Sequence, residues 1–188
     1  MNFNLPNALT WARILMIPLV LAVFYIPQDV LSLPNQNLVA CVLFIVAAIT
    51  DWFDGWLARR LGLTSAFGAF LDPVADKLMV CAALVLLVNL DRCNAVLAFI
   101  IIGRELTISA LREWMAQLGK TKSVAVSFIG KLKTTAQMVA IPMLLYYDDL
   151  LGLPIYRIGS LLMLVAVVLT LWSMVYYMRR ALAVLDEA

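Results

Sequence analysis

From Ile155 to Met178 the chain carries one charged residue, Arg157, in an otherwise apolar run. About 20 apolar residues are enough for a helix to cross the hydrocarbon of a bilayer, so this stretch restricts the fold more than any other. Only lipid or a large protein core can cover it. At 188 residues, with 64% hydrophobic and 14% charged side chains, the chain has too little polar surface to enclose such a core in water. It reads as a single all-α domain, residues 1–188, of a polytopic membrane protein.

Six transmembrane helices and a short N-terminal interfacial helix are expected. Residues 2–12, with Pro6, Asn7 and Thr10 ahead of Trp11 and Arg13, form the interfacial helix, with Trp11 at headgroup depth. The apolar run Ile14–Ile26 follows, without a small-x-small cleavage site after it, and reads as an uncleaved first span. The second span runs from Leu38 to Leu61. Asp72-Pro73 opens the third in the manner of an N-cap followed by proline, and that helix continues to Asn89. The fourth covers Ala95–Gln117, the fifth Gly130–Tyr147, and the sixth Ile155–Met178, closed by Arg179 and Arg180.

The positions of the charges give the orientation. With six spans, Arg13, Arg59, Arg60, Lys77, Arg104, Arg112, Lys120, Lys122, Lys131, Lys133, Arg179 and Arg180 fall on one side, and only Arg92 and Arg157 on the other. The positive-inside rule places the basic side and both termini in the cytoplasm. Cys41, Cys81 and Cys93 lie in or beside apolar runs without a CxxC spacing and read as small core residues. There is no histidine, so proton transfer falls to carboxylates.

Acids concentrate in one place. The stretch from Asp51 reads Asp51-x-x-Asp54-Gly55-x-x-Ala58-Arg59, then eight residues to Gly68, then Asp72 and Asp76. At ~100° per residue, Asp51, Asp54, Gly55 and Ala58 share one helical face, and Asp72 and Asp76 share another. Gly55 and Ala58 clear side chains from the strip beside the first pair, so a ligand can approach the backbone. Four convergent carboxylates near lipid repel one another unless a cation neutralises them. Hard oxygen donors without imidazole or thiolate suit Mg²⁺ or Mn²⁺, one or two ions. The plainer reading, helix caps and solvated loop acids, requires neither this spacing nor the paired small residues.

That pattern resembles the signature of the CDP-alcohol phosphatidyltransferase family at every specified position. Gly103-Arg104-Glu105, Ala110-Leu111-Arg112-Glu113 and Gly130-Lys131-x-Lys133-Thr134-Thr135-Ala136-Gln137 resemble the bacterial members that make phosphatidylglycerol phosphate. The resemblance runs nearly end to end. It implies metal-dependent transfer of a phosphatidyl group from CDP-diacylglycerol to sn-glycerol 3-phosphate, in a homodimer of the bacterial cytoplasmic (inner) membrane. It further implies Asp51, Asp54, Asp72 and Asp76 as metal ligands, Asp76 also as general base, and Gly55, Ala58, Arg59 and Gly68 along the CDP site. A free Asp, with a pKa near ~3.9, is a weak base for an alcohol, so the proton must move late or the hydroxyl must be acidified.

Arg104 is the basic residue that orientation explains least, because the apolar run Val96–Ile102 precedes it. A charge at that depth needs a partner or a polar cavity. Arg104, Arg112, Lys131 and Lys133 are therefore expected to form an acceptor-phosphate pocket, with Glu105 orienting one of the bases. Thr134 and Gln137 add hydrogen bonds there or pack helices, and Asn7, Thr10 and Arg13 approach the nucleotide or cap the interfacial helix. Trp52, Trp56, Trp114 and Trp172 read as interface residues. The residues alone leave the acceptor open, with inositol phosphate and serine as alternatives. A divalent-cation channel or transporter is the other class, but it would place charges at mid-membrane or around a pore, often with internal repeats. Membrane lipid is an expected partner and nucleic acid is not.

Overall fold

The structure is a computed structural model, and it describes residues 5–61, 66–119 and 128–186. Among these there are six α-helices, one 3₁₀ turn and no strand: α1 (Leu5–Ala22), the turn Val23–Tyr25, α2 (Leu33–Leu61), α3 (Ala66–Asn89), α4 (Ala95–Gln117), α5 (Phe128–Tyr146) and α6 (Ile155–Asp186). Two segments, Leu33–Asp51 and Ile155–Ala183, are long and apolar enough to cross a membrane.

Helices α4 and α5 fall within two residues of expectation, and Asn94 caps α4 by accepting from the Val96 amide at 2.8 Å. Four boundaries differ. No separate interfacial helix exists among the described residues, because α1 runs unbroken from Leu5 into the apolar run. Its Thr10 and Arg13 are 2% and 0% exposed, so the polar face of these turns packs into the bundle. Helix α2 starts at Leu33, with Pro34 in its first turn, where a missing N–H costs nothing. Helix α3 starts at Ala66, so Asp72 lies inside it and is not its cap; Pro73 gives up one backbone hydrogen bond within the helix. Helix α6 continues through Arg179 and Arg180 to Asp186.

Helices α5 and α6 pack along their length, α1 lies against α2 and α3, α2 meets α5, and α4 meets α6. The core holds Phe44, Leu84, Leu87, Ile101, Ile141 and Leu144, and Leu15, Phe99, Leu161 and Val168 point outward. Against lipid, helix association depends on close packing rather than on transfer out of water, and small residues permit it. Gly159 of α6 is one: a Cβ there would come within 3.0 Å of Met143 Cβ on α5.

The end of the bundle away from the acid cluster is tied by Arg92, 6% exposed. It donates to Asn37 Oδ1 at 2.7 Å and to the Leu145 carbonyl at 2.8 Å, and its guanidinium lies 4.4 Å from the Tyr147 ring centroid. Tyr147 takes the left-handed conformation just past α5 (φ 67°), a position usually left to glycine. The Arg92 contact holds it there.

Candidate active site

Helix α1 crosses the two acid-bearing helices, and its polar face meets their carboxylates. Thr10 and Arg13, three apart, lie one turn from each other, as do Asp72 and Asp76 on α3. Thr10 Oγ1 donates to Asp72 Oδ1 at 2.7 Å, and Arg13 Nη1 donates to Asp76 Oδ1 at 2.7 Å. The same Arg13 nitrogen is 2.5 Å from Asp51 Oδ1 on α2. One guanidinium thus joins carboxylates from two helices, and the three residues come from three different helices. Thr10 and Arg13 pair with the carboxylates rather than capping a separate interfacial helix.

The guanidinium side is closed and the carboxylate side is open. Arg13 has no exposed surface, whereas the side chains of Asp51 and Asp76 are 37% and 47% exposed. They open onto a cavity of about 350 Å³ whose wall also includes Lys77, Glu105, Thr134 and Gln137. Asp54, Gly55, Ala58 and Arg59 lie on α2, with their side chains outside the described residues. Gly68 lies in the first turn of α3, buried. Among the described residues no three acids already surround one point. The donors are nevertheless those a hard divalent cation selects, namely carboxylate oxygens without nitrogen or sulfur competitors. Two of them sit close enough to share one nitrogen.

The basic residues of α4 and α5 assemble against α6. Arg104 is 7% exposed and Lys133 1% exposed, and both pair with Glu105 Oε1, Arg104 at 3.3 Å. Arg104 also donates to Ser173 Oγ at 3.1 Å. The Tyr177 ring lies beneath both arginines, 5.8 Å from the Arg104 guanidinium and 5.5 Å from that of Arg112. Glu105 is therefore the partner of two bases rather than one. The cluster is also less open than a free cation pocket, since an incoming phosphate must share Lys133 with Glu105. The Nε atoms of Arg104 and Arg112 are buried without a hydrogen-bond partner among the described residues. The Lys131 side chain, and Lys120 and Lys122, lie outside the described residues.

Three residues escaped the sequence reading. Ser173 and Tyr177 are fully buried on α6, and their signal was a polar pair four apart in an apolar helix. Lys77 lines the cavity and makes no ion pair with a described residue. Its signal was its place directly after Asp76, passed over as one more charge on the basic side.

A helical bundle with two apolar helices of membrane-spanning length, and with Asp51, Asp76, Glu105 and Lys77 lining one cavity, is the architecture of a membrane protein with a charged internal site. The chain belongs to the CDP-alcohol phosphatidyltransferase family, whose model matches residues 3–172. It is similar to proteins named CDP-diacylglycerol–glycerol-3-phosphate 3-phosphatidyltransferase. Those of Escherichia coli (strain K12) and Shigella flexneri are each 51% identical over 190 residues, covering all of both chains. That of Salmonella choleraesuis is 50% identical over 183 residues, covering 96% of each.

Proposed function

We propose that this chain transfers the phosphatidyl group of CDP-diacylglycerol to sn-glycerol 3-phosphate, giving phosphatidylglycerol phosphate and CMP. The observation that carries the reading is the meeting of Asp51 and Asp76, from two helices, on one buried guanidinium at the edge of a cavity. The names of the full-length relatives favour this donor and this acceptor.

Asp51, Asp54, Asp72 and Asp76 would hold one or two Mg²⁺ or Mn²⁺ ions. When bound, the metal offsets diphosphate charge and eases departure of CMP. The chain's own groups do the rest. Gly55, Ala58, Arg59 and Gly68 line the CDP moiety. Arg104, Arg112, Lys131 and Lys133 hold the acceptor phosphate, with Glu105 fixing Arg104 and Lys133 in place. Asp76 takes the proton of the acceptor's primary hydroxyl as that oxygen bonds to the phosphorus bearing diacylglycerol. The bond from this phosphorus to the CMP oxygen breaks in line, and CMP leaves.

The six helices are read as six spans, with the site and both termini on the cytoplasmic side of the bacterial inner membrane. Lipid enters the cavity sideways, and two copies form a homodimer. The experiment is CMP release from CDP-diacylglycerol by the purified chain with a panel of acceptors and titrated divalent metal. Release is expected with glycerol 3-phosphate. Release with serine or inositol phosphate but not with glycerol 3-phosphate overturns the reading.

A further inference from the structure

Gln137 is 3% exposed, lines the cavity, and has a buried side-chain oxygen with no hydrogen-bond partner among the described residues. Buried polar atoms are nearly always paired, and one left bare in a helix core is costly. Packing alone does not account for it, because an apolar side chain of the same length would pack equally well without that cost.

Its place says what would complete it. Gln137 follows Lys133 by one helical turn on α5, so the two lie on one face. Lys133 belongs to the basic cluster with Glu105 and Arg104, and the cavity that Gln137 lines also carries Glu105, Asp51 and Asp76. The amide thus shares a helix face with a lysine assigned to the acceptor's phosphate and a cavity with the acids assigned to its reacting hydroxyl. In a three-carbon acceptor the position between phosphate and primary hydroxyl is the secondary hydroxyl at C2. We infer that Gln137 reads this hydroxyl, its Oε1 accepting the C2 O–H, and so selects a polyol phosphate over a simple hydroxyalkyl phosphate. The inference rests on the transferase reading above and adds the residue that recognises the acceptor's carbon chain.

A site that hydrogen-bonds a substrate hydroxyl discriminates against the analogue lacking it, because its polar group is then left bare. The probe is 3-hydroxypropyl phosphate, which keeps the phosphate and primary hydroxyl of glycerol 3-phosphate and lacks only the one at C2. CMP release is measured with both acceptors for the wild type and for Gln137→Met, which keeps length without polarity. The wild type should favour glycerol 3-phosphate in kcat/KM by about tenfold to a hundredfold. Gln137→Met should bring glycerol 3-phosphate down to the level of the analogue, with the analogue's kcat/KM and the KM for CDP-diacylglycerol unchanged. Equal losses for both acceptors in Gln137→Met, or a wild type that does not distinguish them, overturn the assignment and leave the transferase reading intact. The wild-type comparison needs no variant to fold. A wild type inactive with glycerol 3-phosphate overturns both.

Discussion

Arg13 of α1 and Asp76 of α3 are joined at 2.7 Å across 63 residues of sequence, with the guanidinium fully enclosed and the carboxylate half open to the cavity. Because Asp51 shares the same nitrogen, the buried cation neutralises an acid pair that would otherwise push α2 and α3 apart.

Arg13→Ala should therefore destabilise the protein most when divalent metal is absent. Removing one member of a fully buried ion pair costs about 3–5 kcal/mol. Here the acids are 37% and 47% exposed, and water offsets part of that, so about 1–3 kcal/mol is expected. Thermal unfolding in detergent with and without Mg²⁺ checks it. Mg²⁺ should raise the Tm of Arg13→Ala more than that of the wild type, and Arg13→Lys should lie between them. An Arg13→Ala protein as stable as wild type in chelator would sink the idea.

The carboxylates themselves should be needed for turnover and not for folding. Asp51→Asn, Asp54→Asn and Asp72→Asn each remove one hard anionic donor and keep the side-chain shape. Each is expected to abolish activity nearly completely while eluting as a folded protein. Chelator should silence the wild type, and Mg²⁺ should restore it. Wild-type rates in all three variants, or full activity in chelator, would contradict the metal-site assignment.

Arg112 offers the cleanest separation of acceptor binding from stability. Unlike Lys133, it is not fully buried and makes no ion pair with a described residue. Arg112→Ala should leave Tm nearly unchanged and raise KM for glycerol 3-phosphate about tenfold to a hundredfold, the worth of one charge-assisted contact. KM for CDP-diacylglycerol should move little. Lys133→Ala should show the same kinetic direction together with a loss of stability, because Glu105 loses one of its two partners. A rise in KM for the nucleotide lipid alone would mean that the basic cluster serves the other substrate.

Orientation can be read with impermeant thiol reagents in a cysteine-free background. Gln36 is a poor labelling site, since it is 2% exposed and donates to the Ile26 carbonyl at 2.7 Å. Asp29 and Leu151 are both exposed in connecting segments and suit labelling. Cysteines at these two positions should label from outside intact cells and one at Gly119 only after permeabilisation, following the asymmetry of Lys and Arg. Labelling of Gly119 in intact cells would put the site in the wrong compartment for a soluble phosphorylated acceptor.

The sequence by itself determined the helical class, the extents of α4 and α5, and the register of Asp51, Asp54, Asp72 and Asp76. These follow from hydropathy and the helical repeat, which act over a few turns of one chain segment. It also marked Glu105 as a partner for a base, because a lone acid beside a deep arginine has few other uses. The pairing of Arg13 with both Asp51 and Asp76, of Thr10 with Asp72, and of Arg104 with Ser173 was decided by the tertiary structure. These partners lie 62 to 69 residues apart, except Arg13 and Asp51. Even the start of α3 was settled there, since Asp72-Pro73 has the local chemistry of a helix beginning and yet lies inside a helix that begins at Ala66. Local chemistry sets what a side chain is able to bond. Which helix crosses it at hydrogen-bonding distance depends on how the whole bundle packs, and no short window of sequence contains that.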